Sequence, residues 1–201
     1  MNKEPSAMQD KPSPDYQHAD LIIKAGWIAP VAPDTGALAD HALVVRGDTI
    51  VDLLPTPLAD QKWRADEVVE LGSHLLIPGL INAHTHAAMN LFRGLADDLP
   101  LMTWLEQHIW PAEGQWMSEA FVRDGTRLAA AEMIRSGTTC FADMYFFPET
   151  TARVAMEAGL RAVLFSPILD FPTPMGAGPD DYLRLATEDA GNWRHEPRRT
   201  N

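Results

Sequence analysis

The chain carries a single cysteine, Cys140, so no internal disulfide can staple it and nothing in its composition points to an oxidising compartment. It lacks any apolar run approaching the ~18 residues that a bilayer span requires. Its N-terminus is polar, broken by Pro5, Pro12 and Pro14, and has no apolar stretch of the kind a secretory signal needs. Cationic residues are also scarce: 16 Lys and Arg face 28 Asp and Glu, a formal charge of −12. Nucleic acid and anionic membrane both demand clustered positive charge, so neither is expected as a partner, and the acidic surface is expected to serve solubility. The cytoplasm is the expected location. What the 201 residues do have is an ordinary globular composition, 46% hydrophobic and 22% charged, which is enough to bury a core.

Residues 1–18 read as a disordered tail. Residues 19–73 hold short β-like runs, Asp20 to Ile28, His41 to Arg46, Thr49 to Leu54 and Glu67 to Leu71, with Gly47-Asp48 at the centre of the clearest hairpin. The character changes over residues 74–190. Leu75 to Ala83 is an apolar run broken by Pro78-Gly79, as expected of a strand buried on both faces of a parallel sheet. Ser118 to Arg135 reads as a helix with Ser118 as its N-cap and Gly137 past its end. A strand over Thr138 to Tyr145, a helix over Glu149 to Ala158 stopped by Gly159, and a strand over Arg161 to Leu169 follow. Strand, helix, strand, helix, strand is a parallel α/β unit, the repeating piece of a (β/α)8 barrel, where chemistry gathers at the C-terminal strand ends. Such a barrel takes ~250 residues, only three of its strands are legible, and residues 191–201 read as an irregular terminus. The expectation is a truncated chain, or one whose reading frame is altered near its end.

The strongest chemical signal is Pro78-Gly79-Leu80-Ile81-Asn82-Ala83-His84-Thr85-His86. Side chains alternate along a strand, so His84 and His86 point to one side, where two neutral imidazoles can hold a divalent cation. A cation so held lowers the pKa of a bound water to about 7. Catalytic zinc takes three protein ligands, so others are expected elsewhere, and the pair by itself suits zinc, iron and nickel alike. His18, His41, His74, His108 and His195 read as solvated or structural. Asp143, at the end of the second barrel-like strand, reads as structural, and Cys140 as an inert small hydrophobe. Trp104 to Glu113 is an aromatic and acidic stretch read as a long pocket-shaping loop. In it, Trp104 and Trp110 could stack on a heteroaromatic ring or simply pack. Glu113 could hold sugar hydroxyls, although an exposed loop carboxylate is the plainer reading of composition alone.

These blocks, with Leu91 to Leu105, Trp110-Pro111-Ala112-Glu113 and Gly137 to Tyr145, give a chain that resembles the amidohydrolase superfamily. Within it the chain is similar to the 5-methylthioadenosine/S-adenosylhomocysteine deaminases over roughly residues 19–190. The resemblance implies an α/β fold, the N-terminal part of a (β/α)8 TIM-type barrel preceded by part of a small β-sandwich that C-terminal strands would complete. It implies one Zn²⁺ per subunit with His84 and His86 as its first two ligands, Glu113 as the substrate-binding glutamate, and a purine nucleoside thioether as the small-molecule substrate. It further implies hydrolytic deamination at adenine C6 with release of ammonia. A third histidine ligand and the carboxylates that move protons would lie beyond Asn201, so no catalytic residue is expected within the chain. Alternatives left open are another amidohydrolase, such as a guanine or cytosine deaminase or a chlorohydrolase, a non-catalytic fragment, and homo-oligomerisation of the longer parent.

Overall fold

The structure, a computed structural model, describes residues 15–32 and 36–193, together with the backbone of residues 199–200. The expected tail therefore falls for the most part outside the described residues. The chain divides into two compact units, Met1–Pro78 and Gly79–Asn201.

The first unit is a four-stranded sheet in the order β3-β2-β1-β4. Its strands are β1 (Gln17–Ile28), β2 (Leu38–Arg46), β3 (Thr49–Pro55) and β4 (Trp63–Leu76). The first hairpins are antiparallel, and β4 returns parallel to β1. Gly47-Asp48 makes the two-residue turn, and the Asp20 carboxylate accepts the Gly47 N–H. The strands are longer than the sequence pattern marks, because pairing carries β1 back to Gln17 and β4 out to Leu76. A short helix, α1 (Thr56–Lys62), occupies a stretch whose Pro55 and Pro57 suggest only a turn. Proline is at home in a first helical turn, where its missing N–H has no partner to lose. With Ala59, α1 helps close a core of Ala19, Ile22, Ala42, Val44 and Trp63.

The second unit is a parallel sheet in the order β5-β6-β7-β8: β5 (Leu80–Thr85), β6 (Thr138–Met144), β7 (Arg161–Phe165) and β8 (Arg199–Thr200). Between β5 and β6 the chain runs through a 3₁₀ turn (Ala87–Phe92), α2 (Leu101–Trp104), a π-helical turn (Leu105–Ile109), α3 (Trp110–Trp116) and α4 (Glu119–Arg135). Helix α5 (Pro148–Ala158) links β6 to β7, and α6 (Pro179–Asn192) precedes β8. The Ser118 hydroxyl caps α4 by accepting the Phe121 N–H at 3.2 Å. Gly137 and Gly159, both at positive φ, end α4 and α5, as helix termini of this type require.

Further sequence expectations change in the second unit. The third strand stops at Phe165, and Ser166 to Leu169 leave the sheet, because Pro167 cannot donate to a ladder. The terminus expected to be irregular instead contributes the end of α6 and the short strand β8. The Trp104–Glu113 stretch is helical rather than a loop. Finally, the strands are covered on one face only. Phe141, Ala162 and Leu164 are buried against Ala129, Ala130 and Met133 of α4 and Ala152 and Ala155 of α5. On β5, Ile81 is 72% exposed, and Met144 and Phe165 are exposed at the ends of β6 and β7. Among the described residues no helix covers that second face, which is why the twofold burial expected of parallel strands is absent. No helix among them is long and apolar enough to cross a membrane.

The segment that follows the histidines lies hard against α4. A Cβ on Gly125 would come within 2.4 Å of the Ala88 carbonyl oxygen, so only glycine lets the helix approach this closely. Gly125→Ala is expected to lower stability by about 1–3 kcal/mol through overpacking, despite alanine's better helix propensity. Denaturant midpoints of the two chains measure this, and an unchanged or higher midpoint contradicts the packing argument.

Candidate functional site

His84 lies near the C-terminal end of β5 and His86 just past it, with ring centroids 5.3 Å apart. The strand's alternation thus brings the two imidazoles together on one side. The Nδ1 of His86 lies 2.6 Å from the Met144 carbonyl oxygen at the end of β6. As a carbonyl can only accept, Nδ1 carries the proton there and Nε2 is left as a lone-pair donor, the tautomer that a metal ligand needs. Asp143, only 2% exposed, accepts the Ala87 N–H at 2.7 Å. It thereby ties the turn after His86 to the next strand.

Two imidazoles with one preset tautomer suit a borderline cation such as zinc, but they fall short of the three protein ligands a catalytic site uses. Among the described residues no third histidine, cysteine or carboxylate joins them at bridging distance. The group that has such spacing among the described residues is His18, Asp20 and Asp66, exposed on the first unit, where Asp20 already accepts the Gly47 N–H.

The helical excursion delivers Glu113. Pro111 has no N–H, and its ring crowds the carbonyl four residues earlier, so an unbroken α-helix cannot run through it. The π turn Leu105–Ile109 widens the helix just ahead of that point, a device found often at functional sites. Trp104, Leu105, His108, Ile109, Ala112 and Glu113 all face inward to some degree, recurring every four residues. That inward recurrence, with apolar residues at 101, 104, 105 and 109, is the helical signal hidden by the proline and the acidic residues.

Glu113 is half-buried and accepts a hydrogen bond from the Tyr145 hydroxyl at 2.6 Å. Burial raises its carboxyl above the ordinary range, while the Tyr145 hydrogen bond and the nearby His86 pull the other way. Burial above all, then the Glu113 hydrogen bond, pushes Tyr145 well above its usual value, so its hydroxyl keeps its proton and acts as the donor. His86, Glu113, Trp104, Trp110, Tyr145 and Phe171 share a cavity of about 340 Å³ with walls that are otherwise apolar. His84 instead opens with His86 and Asp143 onto an adjoining cleft of about 110 Å³. Tyr145 and Phe171 were not legible as site residues, although Tyr145 directly follows a parallel strand, where such folds place their chemistry.

Burial pushes the Asp143 carboxyl up from 3.8 to about 6, more than the Ala87 N–H and His86 lower it. A raised folded-state pKa favours the protonated acid in the fold. Its contribution to stability is therefore complete below the unfolded value and is lost as pH rises through about 6, by roughly 3 kcal/mol in all. Asp143→Asn retains an acceptor for Ala87 but does not titrate. In the metal-free chain, the variant should gain on the wild type between about pH 4 and pH 7 and stay level above that. Chemical denaturation across this range checks the slope, and a constant gap argues against a buried charge.

The Amidohydrolase family matches residues 75–200. The chain is 58% identical over 177 residues to a 5-methylthioadenosine/S-adenosylhomocysteine deaminase of Saccharophagus degradans, covering 88% of this chain and 40% of that protein. It is 46% identical over 146 residues to a 5'-deoxyadenosine deaminase of Methanococcoides burtonii, covering 73% and 32%. It thus spans about two fifths or less of the curated relatives it matches. Among solved structures it superposes on an adenosine deaminase of Xanthomonas campestris with bound zinc, at a TM-score of 0.87 and 44% identity, covering 92% of this chain and 42% of the other. An atrazine chlorohydrolase of Arthrobacter aurescens complexed with zinc shares the fold at 18% identity and a TM-score of 0.77. With a family match over more than half its length, on a parallel α/β unit whose first strand leads into paired histidines, this chain belongs to the amidohydrolase family.

Proposed function

We propose that the chain supplies the first two metal ligands and the nucleoside-binding wall of a zinc-dependent hydrolase that removes the 6-amino group of adenosine-type nucleosides, 5-methylthioadenosine among them. In this reading residues 74–190 are the first βα units of a (β/α)8 barrel, and residues 19–73 are part of a β-sandwich subdomain. The observation that carries it is that His86 and Glu113 open onto one aromatic cavity, so a metal ligand and a hydroxyl-binding carboxylate face the same bound molecule. The names of the relatives, deaminases of methylthioadenosine, S-adenosylhomocysteine and 5'-deoxyadenosine, support the substrate class.

His84 and His86 would hold the ion, with the Met144 carbonyl fixing the His86 ring. When bound, the metal supplies Lewis acidity and a water of lowered pKa. Glu113 accepts from the ribose hydroxyls, and Trp104 and Trp110 flank the purine and exclude water. The net reaction is hydrolysis of a C–N bond, in which water replaces the amino group and ammonia leaves. The donor count favours a second reading for these 201 residues taken alone, namely metal and nucleoside binding without turnover.

Calorimetric titration with Zn²⁺ tests the ligand assignment. His84→Ala or His86→Ala should weaken binding at least about tenfold, whereas His108→Ala should leave it unchanged. Equal affinities across the three variants would remove the paired histidines from the reading. For the substrate, ammonia release and binding are compared for 5-methylthioadenosine, guanine and cytosine. A preference for either free base overturns the nucleoside assignment, and nucleoside binding without ammonia selects the second reading.

A further inference from the structure

We propose that Tyr145 is a positioning residue, whose hydroxyl holds one oxygen of the Glu113 carboxylate so that the other is free to accept from a nucleoside hydroxyl. The inference rests on Glu113 being the nucleoside-binding residue. Tyr145 is 6% exposed and packs in a cluster with Ala88, Met117 and Val122. Its ring lies against Phe146, with centroids 5.1 Å apart, and near His86, at 6.1 Å. The place of its hydroxyl is therefore set by the packing of the sheet end, not by Glu113. Glu113 itself sits on a short helix with three rotatable side-chain bonds to order. The 2.6 Å bond from Tyr145 joins it across 32 residues to the end of β6, the strand that also holds the His86 ring and the turn after it. Metal ligand and carboxylate are thus registered against one strand end.

A phenylalanine would fill the same space, so the hydroxyl adds little to packing, and its partner is Glu113. The opposing influences on Glu113 agree with this: burial disfavours the charge, and the tyrosine hydrogen bond restores part of what burial takes away. A carboxylate ordered in advance pays less conformational entropy when it binds.

The test compares the full chain with its Tyr145→Phe variant in calorimetric binding of 5-methylthioadenosine and of the same nucleoside lacking both ribose hydroxyls. The ¹³C resonance of the Glu113 carboxyl is followed alongside. The variant is expected to bind the ribonucleoside about tenfold more weakly, the cost of one hydrogen bond to a charged group. The dideoxy compound should bind as before, and the carboxyl resonance should move toward that of an exposed glutamate. In a Glu113→Gln background the tyrosine change should cost little more, since the two residues act as one unit. An equal loss for both ligands means a structural role and overturns the proposal, as does a resonance that stays in place. If the wild type binds both ligands alike, it is the reading of Glu113 that fails. A resonance that still moves then keeps Tyr145 as the residue that orders this carboxylate, and one that does not overturns the proposal.

Discussion

The join between the turn after β5 and the end of β6 is the constraint on which the candidate site depends. The Asp143 carboxylate, out of water, takes the Ala87 N–H, and one residue on the Met144 carbonyl takes the His86 ring. A carboxylate in that place costs free energy, as its raised pKa records, and the cost is tolerated because an unpaired backbone N–H at the same spot would itself be expensive. The outcome is a histidine whose ring orientation and tautomer are determined by the protein alone. The parallel pairing of β5 with β6 sets the frame for this join, and the contact of α4 at Gly125 with Ala88 presses the turn into place from the other side.

The same strand end reaches the helical excursion through Tyr145 and Glu113. Here the interplay is between a local defect and a tertiary contact. Pro111 forces the helix to widen, and the wider turn leaves Trp104, Leu105, His108, Ile109, Ala112 and Glu113 in two inward rows. One carboxylate among apolar walls is a strong orienting group, since few other polar atoms compete for a ligand's hydroxyls. The price is a depressed tendency to ionise, and the tyrosine hydroxyl offsets it.

The covered and uncovered faces of the second sheet divide its residues by role. Phe141, Ala162 and Leu164 pack under α4 and α5 and hold the unit together. Ile81, Met144 and Phe165 lie open on the other face, which no helix covers among the described residues. The chain spans about two fifths of its relatives, and the stability of this sheet is carried by one layer of helices.

Most of the architecture was legible along the chain. The hairpin at Gly47-Asp48, the cap at Ser118, the helix ends at Gly137 and Gly159, and the paired histidines follow from turn chemistry and from periods of 2 and 3.6, which act between near neighbours. Where the reading failed, the deciding partner was distant. The lengths of β1 and β4 come from their pairing with each other, β8 exists only because β7 lies beside it, and the helix over Leu101 to Trp116 survives its proline because Ile109 is buried and Trp104, Leu105, His108, Ala112 and Glu113 are partly buried on the same side. The site divides in the same way. Sequence alone determined that His84 and His86 share a side, because alternation along a strand is a local property. Only the tertiary structure decided that Glu113 lies in their company and that Tyr145 holds it, because a bond across 32 residues is made by the packing of strand and helix and leaves no mark on either segment by itself.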